Sequence, residues 1–429
     1  MAANVVVVIG TRPEAIKMLP VVIAMQRSEL LQPIVVSTGQ HGAMVREVLA
    51  FGGVTPDVDL GVVSTGSLNE LVADVTREFS RWCVDRFDRD GHVNARGMRE
   101  AMSGEFAAGV LVHGDTSSAM AAALAAFHLR IPVGHVEAGL RTGDVLAPYP
   151  EELNRQLIGR IAAFHLAPTT TNQQNLVREG IDGDRIFVTG NTGIDTLMLV
   201  ADLPHEIEDP RLAEMMNDSR PLVVVTAHRR DNWGGGLERI GIGLSRMVDM
   251  HPDVNVVLVT HPNPAARAEV TAPVEHLDQV LILDALAYPT FARLLAAARF
   301  AISDSGGIQE EAPALGTPVL VTRRTTERGE GVKAGTLKLV GTTPNVIADA
   351  ADELLRDDVE LDRMRAIPNP YGDGRSAARV VAALEHLTGL APQPMPFGAG
   401  FDRMRVLVSG GYPGESRREL ANTIDVVLE

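Results

Sequence analysis

The fold is decided by one stretch, Ser303-Asp304-Ser305-Gly306-Gly307-Ile308-Gln309-Glu310-Glu311. It follows an apolar segment at 299–302 that is typical of a buried strand, and it precedes a segment at 312–316 that is typical of a helix end. A strand, a Ser-Gly-Gly turn and a helix in this order point backbone N–H groups and a helix dipole at an anion. Glycine lets a phosphate approach the backbone closely. The stretch therefore predicts a nucleoside diphosphate site, with an ordinary capped helix start as the alternative.

Short β-branched runs alternate with amphipathic segments of helix length along most of the chain. Alternation with nearly continuous apolar strands indicates parallel sheets covered by helices on both faces. The predicted strands lie at 5–9, 34–37, 110–112, 133–136, 187–188, 223–225, 256–259, 280–283, 300–303 and 319–321. The predicted helices lie at 14–26, 117–128, 151–162, 236–250 and 289–297. We expect an α/β protein with two doubly wound, Rossmann-like domains facing a cleft.

A polar, proline-bracketed linker at 203–210 divides the two series of strands. We place the first domain at 1–203 and the second at 204–375. Residues 376–390 are predicted to form a helix that crosses back to the first domain. The tail at 391–429 contains a possible strand at 405–409 and a helix at 415–427, and we assign it no role. Residues 85–105 are polar and predict a surface loop or lid.

Composition excludes several classes of protein. The 429 residues carry a net charge of −16, and a nucleic-acid binder would show a basic footprint instead. Cys83 is the only cysteine, so no intramolecular disulfide and no cysteine-based metal cluster is expected. No apolar run approaches the ~18–20 residues that span a bilayer, and the N-terminal sequence lacks the features of a signal peptide. We expect a cytoplasmic protein that binds neither nucleic acid nor membrane.

Polar side chains gather in the loops that follow the predicted strands, where doubly wound folds bind ligands. Three carboxylates, Asp115, Glu137 and Glu151, belong to such loops in the first half. Each also has an ordinary interpretation: Asp115 as the cap of the helix at 117, Glu137 as the partner of Arg141, and Glu151 as a helix-start acid. Together they predict acid/base groups facing a cleft.

Cations and histidines occupy the remaining loops. Arg12 and Lys17 flank a helix start, so both can face the same anion. His228 and His261 follow strands of the second half, and each alone is as typical of a packed loop residue as of a ligand. The joint pattern favours carboxylates on one side of the cleft and anion-binding groups on the other.

At these loops the chain resembles the non-hydrolysing UDP-N-acetylglucosamine 2-epimerases, a family with a GT-B-like fold of two domains. The matching motifs follow one another in order over roughly residues 4–388, which makes the resemblance specific. They are Gly10-Thr11-Arg12-Pro13-Glu14-Ala15-Ile16-Lys17, Val112-His113-Gly114-Asp115-Thr116, Gly134-His135-Val136-Glu137-Ala138-Gly139-Leu140-Arg141-Thr142, Pro150-Glu151-Glu152, Thr189-Gly190-Asn191-Thr192, His228-Arg229-Arg230, residues 304–313, Thr325-Thr326-Glu327-Arg328 and Asn369-Pro370-Tyr371-Gly372-Asp373-Gly374.

The resemblance implies a reversible epimerisation of UDP-GlcNAc to UDP-ManNAc. In this family UDP is eliminated to leave 2-acetamidoglucal and then adds back, with no metal and no other cofactor. Family members are commonly homodimers. The resemblance also implies the roles of individual residues: Asp115, Glu137, Glu151 and His228 as catalytic groups, and Arg12, Lys17, Arg141, Ser305, Gly306, Gly307 and Glu311 as substrate contacts, with Ser305 to Gly307 on the diphosphate and Glu311 on the ribose.

The chain departs from the family at a second site, where many bacterial members bind an activating UDP-GlcNAc. Gln40 and His41 are present, but Ala43 replaces a glutamine and the loop at 63–67 has no arginine. The remaining contacts would be Glu152, Arg229 and His261. We expect substrate activation to be weakened or absent.

Three other functions remain open from the sequence. A hydrolysing 2-epimerase, which releases ManNAc and UDP, shares most of these motifs. A GT-B glycosyltransferase shares the fold but would need an acceptor site and would not need the three carboxylates. A non-catalytic nucleotide-sugar sensor would need only the UDP contacts.

Overall fold

The computed structural model describes residues 2–63, 66–89, 91–203, 206–261 and 263–398. The strand predicted at 405–409 and the helix predicted at 415–427 lie outside the described residues, so both remain predictions. No helix in the described ranges is long and apolar enough to cross a membrane.

Among the described residues, two parallel sheets form the framework. The first has seven strands in the order β3-β2-β1-β4-β5-β6-β7, and the second has six in the order β10-β9-β8-β11-β12-β13. The strands are β1 (Ala3–Ile9), β2 (Leu31–Ser37), β3 (Val58–Asp59), β4 (Ala107–His113), β5 (Val133–Val136), β6 (Phe164–Ala167), β7 (Ile186–Val188), β8 (Leu222–Thr226), β9 (Asn255–Val259), β10 (Val280–Leu283), β11 (Phe300–Ser303), β12 (Val319–Val321) and β13 (Leu337–Leu339).

Helices cover both faces of each sheet. They are α1 (Arg12–Gln26), α2 (Gly42–Ala50), α3 (Leu68–Phe87), α4 (Met98–Ala101), α5 (Ser117–His128), α6 (Glu151–Ile161), α7 (Thr170–Arg178), α8 (Thr192–Ala201), α9 (Pro210–Asn217), α10 (Gly236–Met250), α11 (Pro264–Thr271), α12 (Tyr288–Ala297), α13 (Gly306–Glu311), α14 (Gly329–Ala334), α15 (Pro344–Arg356), α16 (Asp358–Arg365) and α17 (Ser376–Leu387). Every residue of β1 is buried, as expected for a strand covered on both faces. The predicted architecture of two doubly wound domains is confirmed.

The segment predicted as a loop or lid at 85–105 is partly wrong. Helix α3 continues to Phe87, because apolar side chains recur every four residues along one face and are all buried: Leu71, Val75, Phe79, Cys83 and Phe87. Residues Met98–Ala101 form α4, and the His92 ring stacks on Phe106 with centroids 4.9 Å apart. The polar surface of α3 concealed its buried stripe.

The two domains contact each other through helices. Leu197 and Val200 of α8 pack with Tyr288 and Ala292 of α12 in one apolar cluster. Helix α17, which follows the second domain in the chain, lies in the core of the first sheet. The chain therefore leaves the first domain before α9 and returns to it at α17.

Each sheet has a point at which the strand order reverses. In the first sheet β1 lies between β2 and β4, and in the second β8 lies between β9 and β11. At such a point neighbouring loops leave the carboxyl edge in opposite directions and open a crevice for a ligand. The loops after β1, β4, β8 and β11 therefore define the candidate site.

Glu14 joins two of these loops. Its Oε2 accepts hydrogen bonds from the N–H groups of Gly10 and Thr11 at 3.2 and 2.7 Å, and its Oε1 accepts one from Thr116 Oγ1 at 3.0 Å. Burial raises the pKa of Glu14 to about 7, and the hydrogen bonds offset only part of that rise. The folded state therefore holds a proton on Glu14 at pH values where the unfolded chain has lost it.

Glu14→Gln is expected to make stability less dependent on pH. Since the pKa of Glu14 is about 7 in the folded state and 4.5 in the unfolded chain, wild-type stability falls as pH rises through this window. Glutamine cannot titrate, so the variant does not lose this stability. Between pH 4.5 and pH 8 the free energy of unfolding of wild type should therefore fall by up to about 3 kcal/mol relative to that of Glu14→Gln. Urea unfolding of both proteins at several pH values measures this difference. If the free energies of unfolding of the two proteins changed with pH in parallel, the raised pKa of Glu14 would be contradicted.

Candidate active site

An ion pair between Lys17 and Glu137 lies at the carboxyl edge of the first sheet. Lys17 Nζ contacts Glu137 Oε1, and His113 Nε2 lies 3.6 Å from Glu137 Oε2. The alternative that Glu137 pairs with Arg141 is wrong, because Arg141 makes a two-point contact with Glu179 at 2.6 and 2.9 Å. Glu137 thus has a cation on one oxygen and an imidazole beside the other.

The charges of this cluster follow from its burial and its pairing. Burial alone would raise the pKa of Glu137, but the neighbouring Lys17 outweighs it and lowers that pKa to about 2. Burial would likewise lower the pKa of Lys17, and the carboxylates of Glu137, Glu310 and Asp115 raise it instead. Burial lowers the pKa of His113 to about 4. At neutral pH the cluster therefore holds a carboxylate, an ammonium and a neutral imidazole.

Arg155 holds Asp115 in place. Its Nε and Nη2 lie 2.9 and 2.6 Å from Asp115 Oδ2, and its Nη1 donates to Glu152 Oε2 at 3.0 Å. The alternative that Asp115 caps α5 is wrong, because Thr116 Oγ1 accepts the N–H of Ala119 at 3.0 Å. Asp115 is therefore free of the helix and is oriented by a cation.

The two acids at the start of α6 differ in their surroundings. Glu151 has an oxygen, Oε2, that is buried and has no hydrogen-bond partner among the described residues. Glu152 is fully buried and accepts hydrogen bonds from the backbone of Thr142 and Gly143 and from the side chains of Arg155 and Gln156. A buried carboxylate oxygen without a donor is costly, so Glu151 is the acid of this pair that a ligand would satisfy.

On the second domain, Asp304 organises the loop that carries His228. Its carboxylate accepts the N–H groups of His228 and Arg229 and the side-chain amide of Asn232, at 2.9 to 3.1 Å. The ring of His228 stacks on that of His261, with centroids 6.1 Å apart. Burial lowers the pKa of His228 despite the nearby Asp304. Asp304 thus holds the backbone at His228, while the imidazole itself is partly exposed.

The Ser-Gly-Gly turn has the structure that its sequence predicts, with a cation beside it. Ser305 precedes α13, which begins at Gly306. A Cβ atom at Gly306 would lie 3.0 Å from Arg328 Cζ, so the guanidinium packs directly on the turn. Arg328 Nε donates to Glu310 Oε1 at 2.7 Å. An anion on this turn would meet a buried arginine as well as backbone N–H groups.

Glu311 closes the second-domain side of the site. Burial raises its pKa to about 7, and the charge of Lys17, on the first domain, lowers it in part. The charges of Glu311 and Arg12 both act on Tyr288, which places these side chains in one region. Carboxylates from both domains therefore lie around Lys17, and Arg12 lies near Tyr288.

A small cavity of about 80 Å³ opens between the domains beside this cluster. Its lining includes Glu137, Arg141, Asn191, Glu310, Arg328 and Tyr371. Among the described residues, no group of three or more histidines, cysteines or acids is arranged to hold a metal ion.

Not every predicted residue faces the cleft. The structure brings Asp115, Glu137 and Glu311 close enough to Lys17 for their charges to interact. Arg141 lines the cavity, but its guanidinium is paired with the carboxylate of Glu179. Of the residues predicted for an activating site, Gln40 accepts a hydrogen bond from Ser118 Oγ at 2.7 Å, His41 is exposed, Glu152 is internal, and Arg229 and His261 lie beside His228.

Sequence reasoning gave no site role to His113, Arg155, Asp304, Glu310 or Arg328. Two signals were available. Arg155 lies one helical turn after Glu151 and Glu152 and so shares their face. Arg328 ends the Thr-Glu-Arg motif after β12, in a loop at the carboxyl edge.

The geometry defines a class: two-domain α/β proteins in which carboxylates at the edge of one sheet lie near a Ser-Gly-Gly turn and an arginine of the other domain. Residues 95–385 match the model of the family described as UDP-N-acetylglucosamine 2-epimerase. A UDP-N-acetylglucosamine 2-epimerase of Yersinia pestis is 42% identical over 389 residues, which cover 89% of this chain and 98% of the relative.

Two solved structures are similar as well. The UDP-GlcNAc 2-epimerase of Neisseria meningitidis, bound to UDP-GlcNAc, is 36% identical with a TM-score of 0.74, and the match covers 89% of this chain and all of that one (100%). The S. aureus MnaA–UDP structure is 36% identical with a TM-score of 0.76, covering 92% of this chain and 100% of the other. The chain belongs to the UDP-N-acetylglucosamine 2-epimerase family, and the predicted enzyme class and GT-B-like fold are confirmed.

Proposed function

We propose that this enzyme interconverts UDP-GlcNAc and UDP-ManNAc by eliminating UDP and adding it back. The observation that carries the proposal is that Glu137 lines the same cavity as Arg328, whose guanidinium packs on the Ser-Gly-Gly turn. Asp115 lies near Lys17, the partner of Glu137, and Glu151, with its unpaired Oε2, is proposed as the third carboxylate. The Neisseria meningitidis relative, solved with UDP-GlcNAc bound, supports a UDP-sugar as the ligand of such a cleft.

The chemistry explains why several carboxylates are needed. The C2 proton of the sugar is not adjacent to a carbonyl group, so simple deprotonation is too costly. In the elimination, a carboxylate takes the C2 proton, the C2–H electron pair forms the C1=C2 double bond, and the C1–O pair leaves with UDP. UDP then adds back to C1 while a carboxylic acid returns a proton to the other face of C2. Each positioned acid or base contributes on the order of 10²–10⁴ in rate.

The second domain has to hold UDP while no bond joins it to the sugar. The N–H of Ser305 donates to Ser303 Oγ at 3.0 Å. The groups proposed to bind the departing diphosphate are therefore the hydroxyl of Ser305, the N–H groups of Gly306 and Gly307, the guanidinium of Arg328 and the imidazole of His228. Arg12 and Lys17 add cations from the first domain, and Glu311 is proposed to bind the ribose. Stabilising the leaving group is expected to matter as much as proton transfer.

Incubation with UDP-GlcNAc in D₂O tests this function. NMR should show deuterium entering C2 together with the appearance of UDP-ManNAc, without any acceptor. Accumulation of free ManNAc and UDP would show a hydrolysing 2-epimerase instead. Absence of exchange without an acceptor would favour a glycosyltransferase or a sensor.

We also propose that activation by a second substrate molecule is weak or absent. In support, the carboxylate of Glu152 accepts hydrogen bonds from four donors within the protein, and the side-chain oxygen of Gln40 accepts one from Ser118. Both side chains are therefore engaged without a second substrate molecule. The initial rate should therefore follow a hyperbola in UDP-GlcNAc concentration. A sigmoidal curve would count against the proposal.

We further propose a homodimer formed through neighbouring helices of the first domain. Phe127 on α5 and Leu153 and Leu157 on α6 are large apolar side chains with 57%, 44% and 41% of their surface exposed. Light scattering should give twice the chain mass for wild type and for Val359→Glu, a control at an 80% exposed position on α16. Leu157→Glu should shift the mass toward the monomer, and an unchanged mass would exclude this surface.

The predicted cytoplasmic location remains a prediction.

A further inference from the structure

Glu310 connects three parts of the molecule. Its Oε1 accepts the N–H of Arg328 Nε at 2.7 Å, and its Oε2 accepts Asn191 Nδ2 at 2.5 Å. Its backbone carbonyl accepts Asn369 Nδ2 at 2.8 Å. The side chains of Glu310 and Arg328 are only 15% and 17% exposed, so both hydrogen bonds form largely away from water.

The Asn191 contact crosses the cleft. Asn191 belongs to the first domain, between β7 and α8, whereas Glu310 belongs to α13 of the second. Its other side-chain atom, Oδ1, accepts the N–H of Gly193 at 2.8 Å and caps α8, so the amide has a fixed orientation. The hydrogen bond to Glu310 therefore requires the domains to face each other at this separation.

The Arg328 contact reaches the diphosphate turn. The guanidinium packs on Gly306, and the carbonyl of Arg328 accepts a hydrogen bond from Tyr371 Oη at 2.8 Å. Tyr371 lies in the segment that returns to the first domain, and its carbonyl accepts the N–H of Asn191 at 2.8 Å. The arginine that faces the turn is thus held by groups that lie at the junction of the two domains.

We propose that Glu310 is a positioning residue that couples closure of the cleft by Asn191 to the placement of Arg328 over the diphosphate. Glu310 touches neither sugar nor phosphate in this role. This role rests on the proposed function, because the coupling matters only while UDP is separated from the sugar and has to stay bound. When the domains separate, Glu310 loses Asn191 and Arg328 loses part of its orientation, so UDP is released only from an opened cleft.

Asn191→Ser tests the coupling with little damage to the fold. Serine is as good a helix cap as asparagine, so α8 keeps its N-terminus, but serine is too short to reach Glu310. A hydrogen bond to a charged group is worth about tenfold or more in an equilibrium constant. The variant should release free UDP and 2-acetamidoglucal in an about tenfold larger fraction of turnovers, while the melting temperature stays near that of wild type.

Glu310→Gln should raise the same fraction, because it removes the charge that holds Arg328. Glu330→Ala is the matched comparison, since Thr169 Oγ1 donates to Glu330 Oε1 at 3.2 Å in a second hydrogen bond between the domains, without contact to Arg328. Its released fraction should rise less than that of Asn191→Ser.

The outcomes separate the two proposals. If wild type shows no deuterium exchange at C2, the proposed function fails and the coupling fails with it. If wild type epimerises but both Asn191→Ser and Glu310→Gln release no more UDP and 2-acetamidoglucal than wild type, the coupling alone is overturned. An equal rise in Glu330→Ala would also overturn it, because any loosened interface would then have the same effect.

Discussion

Glu137→Gln should lower the turnover of UDP-GlcNAc by about a thousandfold, within the range for removal of a positioned acid or base. The reason lies in its ion pair: Lys17 keeps Glu137 ionised, with a pKa of about 2, at the edge of the cleft. The amide neither accepts a proton nor balances the buried charge of Lys17. Initial rates of UDP-ManNAc formation and of deuterium entry at C2 measure the loss.

The control for this substitution is Glu385→Gln. Glu385 lies on α17, away from the cleft, and accepts a hydrogen bond from Ser28 Oγ at 2.6 Å. The turnover of Glu385→Gln should therefore remain near that of wild type. The unbalanced charge of Lys17 is expected to lower the melting temperature of Glu137→Gln. Rates are therefore compared at a temperature where circular dichroism shows both variants to be folded. Turnover within tenfold of wild type would remove Glu137 from the acid/base set.

Asp115→Asn should lower turnover at least about a hundredfold while UDP binding stays near normal. Asp115 belongs to the first domain, whereas the proposed diphosphate contacts at the Ser-Gly-Gly turn and Arg328 belong to the second. Arg155 loses its contact with the charged Asp115 but keeps Glu152, so its own position should hold. Calorimetric titration with UDP and rate measurements with UDP-GlcNAc separate binding from chemistry. Unchanged turnover would remove Asp115 from the mechanism.

The fold was predictable where apolar runs were continuous. Strands such as β10, β11 and β12 were predicted at their observed bounds, because no polar residue interrupts the hydrophobic pattern inside them. Strand β6 contains His165, which is fully buried, and β13 carries Lys338 between two leucines. A polar residue inside a short strand weakens the local signal, so that tertiary packing decides whether the strand forms.

The candidate site was predictable only in its outline. The carboxyl edges of parallel strands meet, so the loops that carry Asp115 and Glu137 had to lie close together. Which side chains pair was not predictable: Glu137 chooses Lys17, 120 residues away, over Arg141 in its own loop. Asn191 and Glu310 are 119 residues apart in sequence and meet only because two domains face each other. Such pairings depend on geometry that no local pattern contains.

The return of α17 to the first domain gives the second domain two tethers instead of one. A domain held by a single linker can swing in any direction, but one held at two points can turn only about the line through them. The cleft should therefore open and close by rotation about a single hinge axis. Each closure would return the Ser-Gly-Gly turn to the same position relative to the carboxylates of the first domain. A cut between Tyr371 and α17 would leave the second domain on a single linker and would break the chain before a helix that packs in the core of the first.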